Sequence, residues 1–140
     1  MHITKTHNSQ ISSSGLKGTK PRLAVLHILE EENRPLDVSE IIENLKQHRV
    51  NADQATVYRI MDSFFKKGLV NRLDFQEGKF RYEKTSSREH HHLICESCGK
   101  VEDMSDCKID DFQKGISEKK GFLIKRHSLE FFGICKSCQA

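Results

Sequence analysis

The chain carries two Cys-x-x-Cys pairs, Cys95 with Cys98 and Cys135 with Cys138, and no other feature constrains its fold as strongly. A Cys-x-x-Cys turn delivers two thiolates to one side of a tetrahedral zinc ion at about 2.3 Å, and two turns close the coordination sphere. The 36 residues between the pairs must therefore fold and return the second pair to the first. Because no position stays open for a substrate, we predict a structural zinc ion rather than a catalytic one.

The same cysteines could instead form two disulfides or a dithiol redox site. The stretch before Gly15 has no apolar run like that of a secretory leader, and no segment approaches the ~18 apolar residues of a membrane span. We therefore expect a reducing, cytoplasmic setting and no membrane partner, which disfavours disulfides. The fifth cysteine, Cys107, is interpreted as a small residue at the start of a helix.

Charge is distributed unevenly along the chain. Residues 1–88 carry 15 Lys and Arg against 11 Asp and Glu, whereas residues 89–140 carry 8 against 9. The first acidic residue is Glu30, and four basic residues precede it. A basic first half beside a ligand-rich second half suggests that the first half contacts phosphate and the second binds cations.

Hydrophobic periodicity predicts three helices in the first half. The first covers residues 20–32 and has a proline near its start, where the first turn tolerates it. The second follows Asp37, which forms a capping-box pattern with Glu40 three residues later. The third runs from about residue 53 to residue 67 and is ended by Gly68.

Residues 69–83 alternate around a glycine-containing turn and predict a β-hairpin. Helices followed by a hairpin are typical of a winged helix-turn-helix, whose third helix would lie in the major groove of DNA. Arginine and glutamine read base edges, whereas tyrosine and threonine bind phosphates. The candidate DNA contacts are Gln54, Thr56, Tyr58 and Arg59 in the third helix, Lys17 and Arg22 near the first, and Arg81 in the hairpin. The alternative interpretation of the helix residues is an ordinary solvated face.

Three consecutive histidines, His90, His91 and His92, lead directly into the apolar stretch before Cys95 and predict a strand. Successive side chains of a strand point to opposite faces of the sheet. His90 and His92 therefore point one way and His91 the other. The run can thus supply ligands to two metal sites on opposite faces of one sheet.

The remaining sequence predicts a strand at residues 101–104, a helix that begins after Ser105 or Asp106 and ends at Gly121, and a long strand over residues 122–135. The apolar stripe of this helix is Ile109, Phe112 and Ile116. The remaining candidate ligands are Asp103, Asp110 and His127. Imidazole and carboxylate ligands suit Fe²⁺, Mn²⁺ or Zn²⁺ and form more reversible sites than four thiolates do.

Four segments in this order make the chain resemble the ferric uptake regulator (Fur) family, with its iron, zinc, manganese and peroxide sensors. They are residues 16–22, 55–59, 90–100 and 127–130 ahead of the last cysteine pair. The resemblance covers the chain from Gly15 onward. It implies an α+β homodimer with a winged helix-turn-helix at residues 1–84, a hinge at about 84–89, and a small α/β metal-binding dimerisation domain at residues 90–140.

The resemblance also implies three metal sites. They are the structural zinc site on Cys95, Cys98, Cys135 and Cys138, a regulatory hinge site on Glu83, His90, His92 and Asp103, and a third site on Glu89, His91, Asp110 and His127. Iron and peroxide sensors of the family usually supply a further histidine just before the second predicted helix. This chain has Asn33-Arg34-Pro35-Leu36 there, so the effector metal, whether Fe²⁺, Zn²⁺ or Mn²⁺, is left open.

The sequence thus predicts a metal-dependent repressor that binds palindromic double-stranded DNA as a homodimer, with no enzymatic activity and no small-molecule substrate. A zinc-stabilised winged-helix adaptor that ignores regulatory metal is one alternative. A peroxide sensor that oxidises its hinge histidines is another. A zinc hydrolase built on His90, His92 and His127 is disfavoured, because the chain has no H-E-x-x-H helix and no evident general base beside the cluster.

Overall fold

The computed structural model describes residues 5–85, 91–104 and 108–139. The chain divides into two compact units, Met1–Thr85 and Ser86–Ala140. The predicted α+β class is confirmed, with a winged helix-turn-helix in the first unit and a small α/β arrangement in the second. Within the described part of the chain, no helix is long and apolar enough to cross a membrane.

The described residues of the N-terminal unit, 5–85, form four helices and a small antiparallel sheet. The helices are α1 Lys5–Ser13, α2 Lys20–Glu32, α3 Val38–Gln47 and α4 Gln54–Lys66. The strands are β1 Leu36–Asp37, β2 Val70–Asp74 and β3 Phe80–Lys84, in the order β1-β3-β2. Strands β2 and β3 are the two arms of the predicted hairpin, which is the wing of the fold.

Local sequence signals fix where α3 and α4 begin and where α4 ends. The backbone N–H of Glu40 donates to Asp37 Oδ1 at 2.8 Å, and that of Asp37 donates to Glu40 Oε1 at 3.2 Å, so the predicted capping box is confirmed. Asp53 caps α4 by accepting from the backbone N–H of Thr56 at 2.7 Å. Gly68 follows α4 with a φ of +75°, which glycine adopts without strain.

The core of the N-terminal unit is built from the apolar stripes of α2, α3 and α4. The apolar stripe of α4 is buried, with Val57, Ile60, Met61 and Phe64 all inaccessible to solvent or nearly so. They pack in one cluster with residues of α2 and α3 and with Val70 and Tyr82 of the hairpin. Helix α4 is thereby fixed by its inner face, and its outer face is left to solvent.

Two elements of this unit were not predicted from sequence. Helix α1 has a polar sequence, and its only buried residues are His7 and Ile11, so it shows no apolar stripe. Strand β1 has just two residues, and it pairs with Tyr82 and Arg81 of β3. Both elements are fixed by tertiary contacts, which a periodicity argument does not detect.

In the C-terminal unit, residues 91–104 and 108–139 form a three-stranded sheet and one long helix. Its elements are β4 His91–Cys95, β5 Val101–Met104, α5 Ile109–Lys120, β6 Glu130–Gly133 and a 3₁₀ turn at Lys136–Cys138. The sheet order is β5-β4-β6, with β5 antiparallel and β6 parallel to the central strand β4. Helix α5 ends at Gly121, whose φ is +68°, as predicted. The predicted caps Ser105 and Asp106 and the odd Cys107 lie outside the described residues.

The predicted strand over residues 122–135 was too long. Only Glu130–Gly133 forms a paired strand, and its partners are the four residues of β4 from His92 to Cys95. The preceding residues Phe122 and Leu123 are largely exposed rather than alternating between a buried and an exposed face. Hydrophobic alternation therefore overstated the length of the strand.

Few side chains of the C-terminal unit are buried within it. Among its described residues only His91, His92 and Cys95 are buried, and α5 buries none of its side chains. The predicted stripe of α5 is present, yet Phe112 is 67% exposed. A unit with so little core depends for its stability on a metal ion or a partner surface.

Candidate metal centres and nucleic-acid interface

The four predicted cysteines lie together at one end of the C-terminal sheet. Their Sγ atoms are all within 4.8 Å of one another, and the Sγ atoms of Cys98 and Cys135 are 3.8 Å apart. Two sulfurs bound tetrahedrally to one zinc at about 2.3 Å are separated by about 3.8 Å. The thiols are free rather than paired in disulfides. This cluster is suited to a structural zinc ion, and the disulfide alternative does not describe it.

Backbone groups prepare Cys95 to be a thiolate ligand. The N–H groups of Cys135 and Cys98 donate to Cys95 Sγ at 3.3 and 3.4 Å, and they lower the pKa of that thiol to about 6. Ser97 lowers the pKa of Cys138, but the neighbouring cysteine side chains outweigh it and raise that pKa to about 12. Four thiolates so close together therefore require a cation to balance their charge, as a zinc ion does.

A second group of potential ligands joins strand β4 to the segment before β6. His91 is buried at the start of β4, and its Nε2 lies 3.4 Å from Nε2 of His127. Two nitrogens bound tetrahedrally to one metal at about 2.1 Å are separated by about 3.4 Å, so this pair also fits a divalent cation. The Nδ1 atom of His127 lies 2.7 Å from Oε1 of Gln113 on α5.

The other predicted members of this third site are placed differently. Glu89 lies outside the described residues, and Asp110 is exposed in the first turn of α5. Among the residues that the structure describes, the four cysteines are the only group of three or more potential ligands within 4.8 Å of one another. Asp110 therefore does not form such a group with His91 and His127, and its role as a metal ligand stays a prediction.

Gln113 was missed by the sequence analysis, which considered only thiols, imidazoles and carboxylates as ligands. The available signal was its spacing, because Gln113 follows Asp110 by three residues and so lies on a neighbouring part of the same helix face.

Two residues of the predicted hinge site lie next to each other in the C-terminal sheet. His92 on β4 is directly opposite Asp103 on β5, and its Nε2 lies 3.5 Å from Asp103 Oδ1. His92 is almost completely buried, whereas the side chain of Asp103 is half exposed. Glu83 is a buried residue of β3 in the N-terminal unit, and His90 lies outside the described residues. The complete set therefore stays a prediction.

The predicted DNA contacts lie on the surface of the N-terminal unit. Gln54, Tyr58 and Arg59 are exposed on α4, and Arg59 Nη2 lies 3.4 Å from the hydroxyl of Thr56. Lys17 is exposed in the loop before α2, where its carbonyl accepts a hydrogen bond from Arg22 at 3.1 Å. Polar and cationic groups are thus exposed both on α4 and in the loop before α2.

Arg81, the predicted phosphate contact of the hairpin, forms ion pairs within the N-terminal unit, and its contact with DNA stays a prediction. Its guanidinium donates two hydrogen bonds to Glu77, at 2.7 and 2.8 Å, and lies 3.3 Å from Glu40 on α3. The charge of Arg81 is thereby paired with carboxylates of the N-terminal unit. Its hydrogen bonds lower the pKa of Glu77.

Arg72 fixes the wing against α4. Its guanidinium lies between two aromatic rings, 4.1 Å from the centre of Phe65 and 4.5 Å from that of Phe80. Such cation–π contacts contribute roughly 0.5–1 kcal/mol each at exposed sites. The hairpin is therefore held in a defined position beside the outer face of α4.

A winged helix-turn-helix combined with clusters of metal ligands defines a class of protein, the metal-binding transcriptional regulators. The profile of the ferric uptake regulator family matches residues 13–132. The chain is 38% identical over 133 residues to the ferric uptake regulation protein of Legionella pneumophila, covering 94% of this chain and 98% of that protein. The chain belongs to the ferric uptake regulator family of metal-responsive transcriptional regulators.

Solved structures agree with this assignment. The Vibrio cholerae ferric uptake regulator superposes with a TM-score of 0.80 at 35% identity, over 91% of this chain and 98% of that one. The Francisella tularensis regulator, solved with iron, superposes with a TM-score of 0.79 at 31% identity, over 90% of this chain and 96% of that one. The Pseudomonas aeruginosa regulator, solved with manganese, superposes with a TM-score of 0.78 at 31% identity, over 93% of this chain and 98% of that one.

Proposed function

We propose that this chain is a metal-dependent repressor that binds palindromic operators as a homodimer. One observation supports this most directly. The five-residue strand β4 carries His91 beside His127 and His92 beside Asp103, and it ends at Cys95 of the thiol cluster. A single strand thus joins three sets of metal ligands. Metal binding at one set would therefore affect the positions of the ligands in the other two.

The DNA-binding surface would be the outer face of α4 together with the loop before α2. Arg59 and Gln54 would read base edges in the major groove, and Tyr58 and Thr56 would contact phosphates. Lys17 and Arg22 would add phosphate contacts at the flank. A regulator with this target acts where the chromosome is, which in a bacterium is the cytoplasm.

The proposed dimer surface lies in the C-terminal unit. Helix α5 buries no side chain, and Phe112, Phe122, Leu123 and Phe131 are all exposed on this unit. A second copy of this chain that covers the apolar surface would stabilise this small unit. A twofold dimer would also present two α4 helices to a palindromic site.

The regulatory metal would be held by the hinge set Glu83, His90, His92 and Asp103, and a further ion by the third set Glu89, His91, Asp110 and His127. A divalent ion supplies positive charge that holds imidazole and carboxylate groups in one arrangement. If the DNA-binding arrangement of the dimer has the higher affinity for the ion, binding shifts the population toward it by that difference in affinity. The iron and manganese in related structures make Fe²⁺ and Mn²⁺ the first candidates, with Zn²⁺ the third.

One observation favours a second candidate, a DNA-binding protein that ignores regulatory metal. In the stretch before α3, where iron sensors of the family usually carry a histidine, Arg34 lies 2.8 Å from Glu40 and 3.5 Å from Glu32. This stretch is therefore occupied by an ion-pair network within the N-terminal unit instead of a metal ligand.

Fluorescence anisotropy separates the two candidates. The protein, stripped of regulatory metal but with its cysteine-bound zinc retained, is titrated onto DNA from its own upstream region at fixed salt, with Zn²⁺, Mn²⁺ or anaerobic Fe²⁺ added separately. Tightening of tenfold or more by one metal, about 1.4 kcal/mol of coupling, supports the repressor and identifies its effector. Tight binding that no metal changes supports the second candidate.

A pair of variants tests the DNA surface in the same assay. Arg59→Ala should weaken operator binding and relax its sequence preference, whereas Lys119→Ala, which removes the same charge from the far end of α5, should leave binding unchanged. Equal effects of the two variants would mean that α4 does not read the operator.

A further inference from the structure

We propose that Gln113 is the positioning residue of the His91–His127 metal site, and that its side-chain amide holds the His127 ring in the tautomer that binds a divalent cation. This inference rests on the proposed function, because it concerns one of the metal sites of the regulator. It adds a residue that carries no charge and would not itself bind the ion.

The first step is the direction of the hydrogen bond. The Oε1 atom of Gln113 lies 2.7 Å from Nδ1 of His127. An amide oxygen can only accept, so Nδ1 must carry the proton in this contact. In the neutral imidazole the lone pair then resides on Nε2, which is the atom that faces His91.

The second step is the geometry of the two imidazoles. Their Nε2 atoms are 3.4 Å apart, with the ring planes tilted by 41° and the ring centres separated by 5.1 Å. A distance of 3.4 Å is long for a hydrogen bond, whereas it matches the separation of two nitrogens on one tetrahedral metal with bonds of about 2.1 Å. The pair is therefore arranged to bind one cation between its Nε2 atoms.

The third step is how each ring is supported. His91 is fixed by the sheet, because it is buried and pairs with Met104 on β5. His127 precedes β6 in a segment without regular secondary structure. A hydrogen bond from its Nδ1 to a rigid helix residue therefore orients this ring relative to His91, which is the role that outer-shell partners have at metal sites.

The choice of an amide over a carboxylate has a consequence for affinity. A carboxylate on Nδ1 would raise the basicity of the imidazole and tighten metal binding. The neutral amide of Gln113 orients His127 without that increase. The site is thereby suited to reversible binding of an imidazole-preferring divalent cation rather than to permanent retention.

Two substitutions and one matched control test the proposal in the full-length dimer with its cysteine-bound zinc retained. Gln113→Leu removes the acceptor at similar size, Gln113→Glu replaces the amide with a carboxylate, and Lys114→Ala changes an exposed neighbour on the same helix. His127→Ala identifies which cobalt absorption bands belong to this site. Circular dichroism verifies that each variant is folded.

The first readout uses no regulatory metal. Long-range proton–nitrogen NMR of the His127 ring should show Nδ1 protonated in the native chain and in Lys114→Ala, and a shift toward protonated Nε2 in Gln113→Leu. An unchanged tautomer in folded Gln113→Leu overturns the positioning role.

The second readout is Co²⁺ affinity from visible absorption. Gln113→Leu should weaken Co²⁺ binding by about 10- to 100-fold, Gln113→Glu should tighten it, and Lys114→Ala should change it by less than twofold. A folded Gln113→Leu protein with native affinity overturns the proposal, and so does a native chain that shows no Co²⁺ bands dependent on His127. Neither readout involves DNA, so failure of the repressor proposal in the anisotropy assay is a separate result.

Discussion

The Nζ atom of Lys79 lies 2.5 Å from Oδ2 of Asp37, so the residue that caps helix α3 also anchors the wing. The other carboxylate oxygen of Asp37 accepts the backbone N–H of Glu40. One buried carboxylate thus serves two elements of the winged helix-turn-helix, and the ion pair can be removed without removing the cap.

Substitution of Asp37 should reveal these two contributions. Asp37→Ala loses both the cap and the ion pair, and we expect it to lower the free energy of unfolding by about 1–3 kcal/mol. Asp37→Asn keeps a capping oxygen and should cost less than about 1 kcal/mol, as should Lys79→Ala, which removes only the ion pair. Urea unfolding measures the free energy of unfolding of all three variants. If Asp37→Asn is as destabilised as Asp37→Ala, the cap contributes nothing.

Glu77 should make a contribution to stability that disappears in acid. Hydrogen bonds from Arg81 lower the pKa of its carboxyl in the folded chain. The stabilisation is therefore fully present above the pKa of Glu in the unfolded chain, about 4.3, and is lost as the pH falls through the lower folded value. We expect Glu77→Gln to be less stable than the native chain at pH 7, with a difference that shrinks toward pH 3. Glu43→Gln, an exposed change on α3, serves as the control, and a pH-independent difference for Glu77→Gln would contradict the linkage.

Loss of one cysteine ligand should release the structural zinc. Cys95→Ser removes the thiol whose pKa is lowered to about 6 by the backbone N–H groups of Cys135 and Cys98. Because binding of structural zinc is coupled to folding, we expect loss of near-stoichiometric zinc together with loss of the dimer. Cys107→Ser is the matched control and should keep both. Metal analysis and sedimentation measure the two outcomes, and a folded, zinc-free Cys95→Ser dimer would refute the structural role.

Asp103 offers the mildest test of the hinge site. Its carboxylate lies 3.5 Å from His92 Nε2 and is half exposed, so Asp103→Asn should leave the fold intact. We expect the metal concentration for half-maximal operator binding to rise by tenfold or more, because a charged ligand becomes neutral. Glu102→Gln, an exposed neighbour on the same strand whose carboxylate pairs with Lys100, should respond to metal like the native chain. An unchanged response in Asp103→Asn would remove this residue from the site.

The parts of the fold that were predicted from sequence are those specified by local chemistry. The Asp37–Glu40 capping box, the stop at Gly68 and the Cys-x-x-Cys turns each depend on residues only a few positions apart. Helix α1 and the true length of β6 depend instead on which surfaces they pack against, and Ile11 alone does not indicate a buried helix.

For the metal sites, sequence spacing predicted candidate ligands but not the residues that support them. Alternation along β4 correctly separated His91 from His92, which contact His127 and Asp103 respectively. It did not identify Gln113, because the hydrogen bond to His127 joins residues on two different elements and the amide is not a ligand type. The ion pairs of Arg81 were not predicted for a similar reason, since its partners Glu77 and Glu40 become neighbours only in the folded chain.

The exposed apolar face of α5 should control dimerisation. Phe112 is 67% exposed and belongs to a helix without a single buried side chain, which is costly in water unless a second subunit covers it. We expect Phe112→Asp to weaken the dimer by at least tenfold, because a carboxylate would be buried without a partner. The same substitution at Lys114, an exposed residue on the face of α5 opposite the apolar stripe, should leave the dimer intact. Sedimentation equilibrium of the zinc-loaded proteins measures both dissociation constants. A Phe112→Asp protein that remains a native dimer would place the subunit interface elsewhere on this unit.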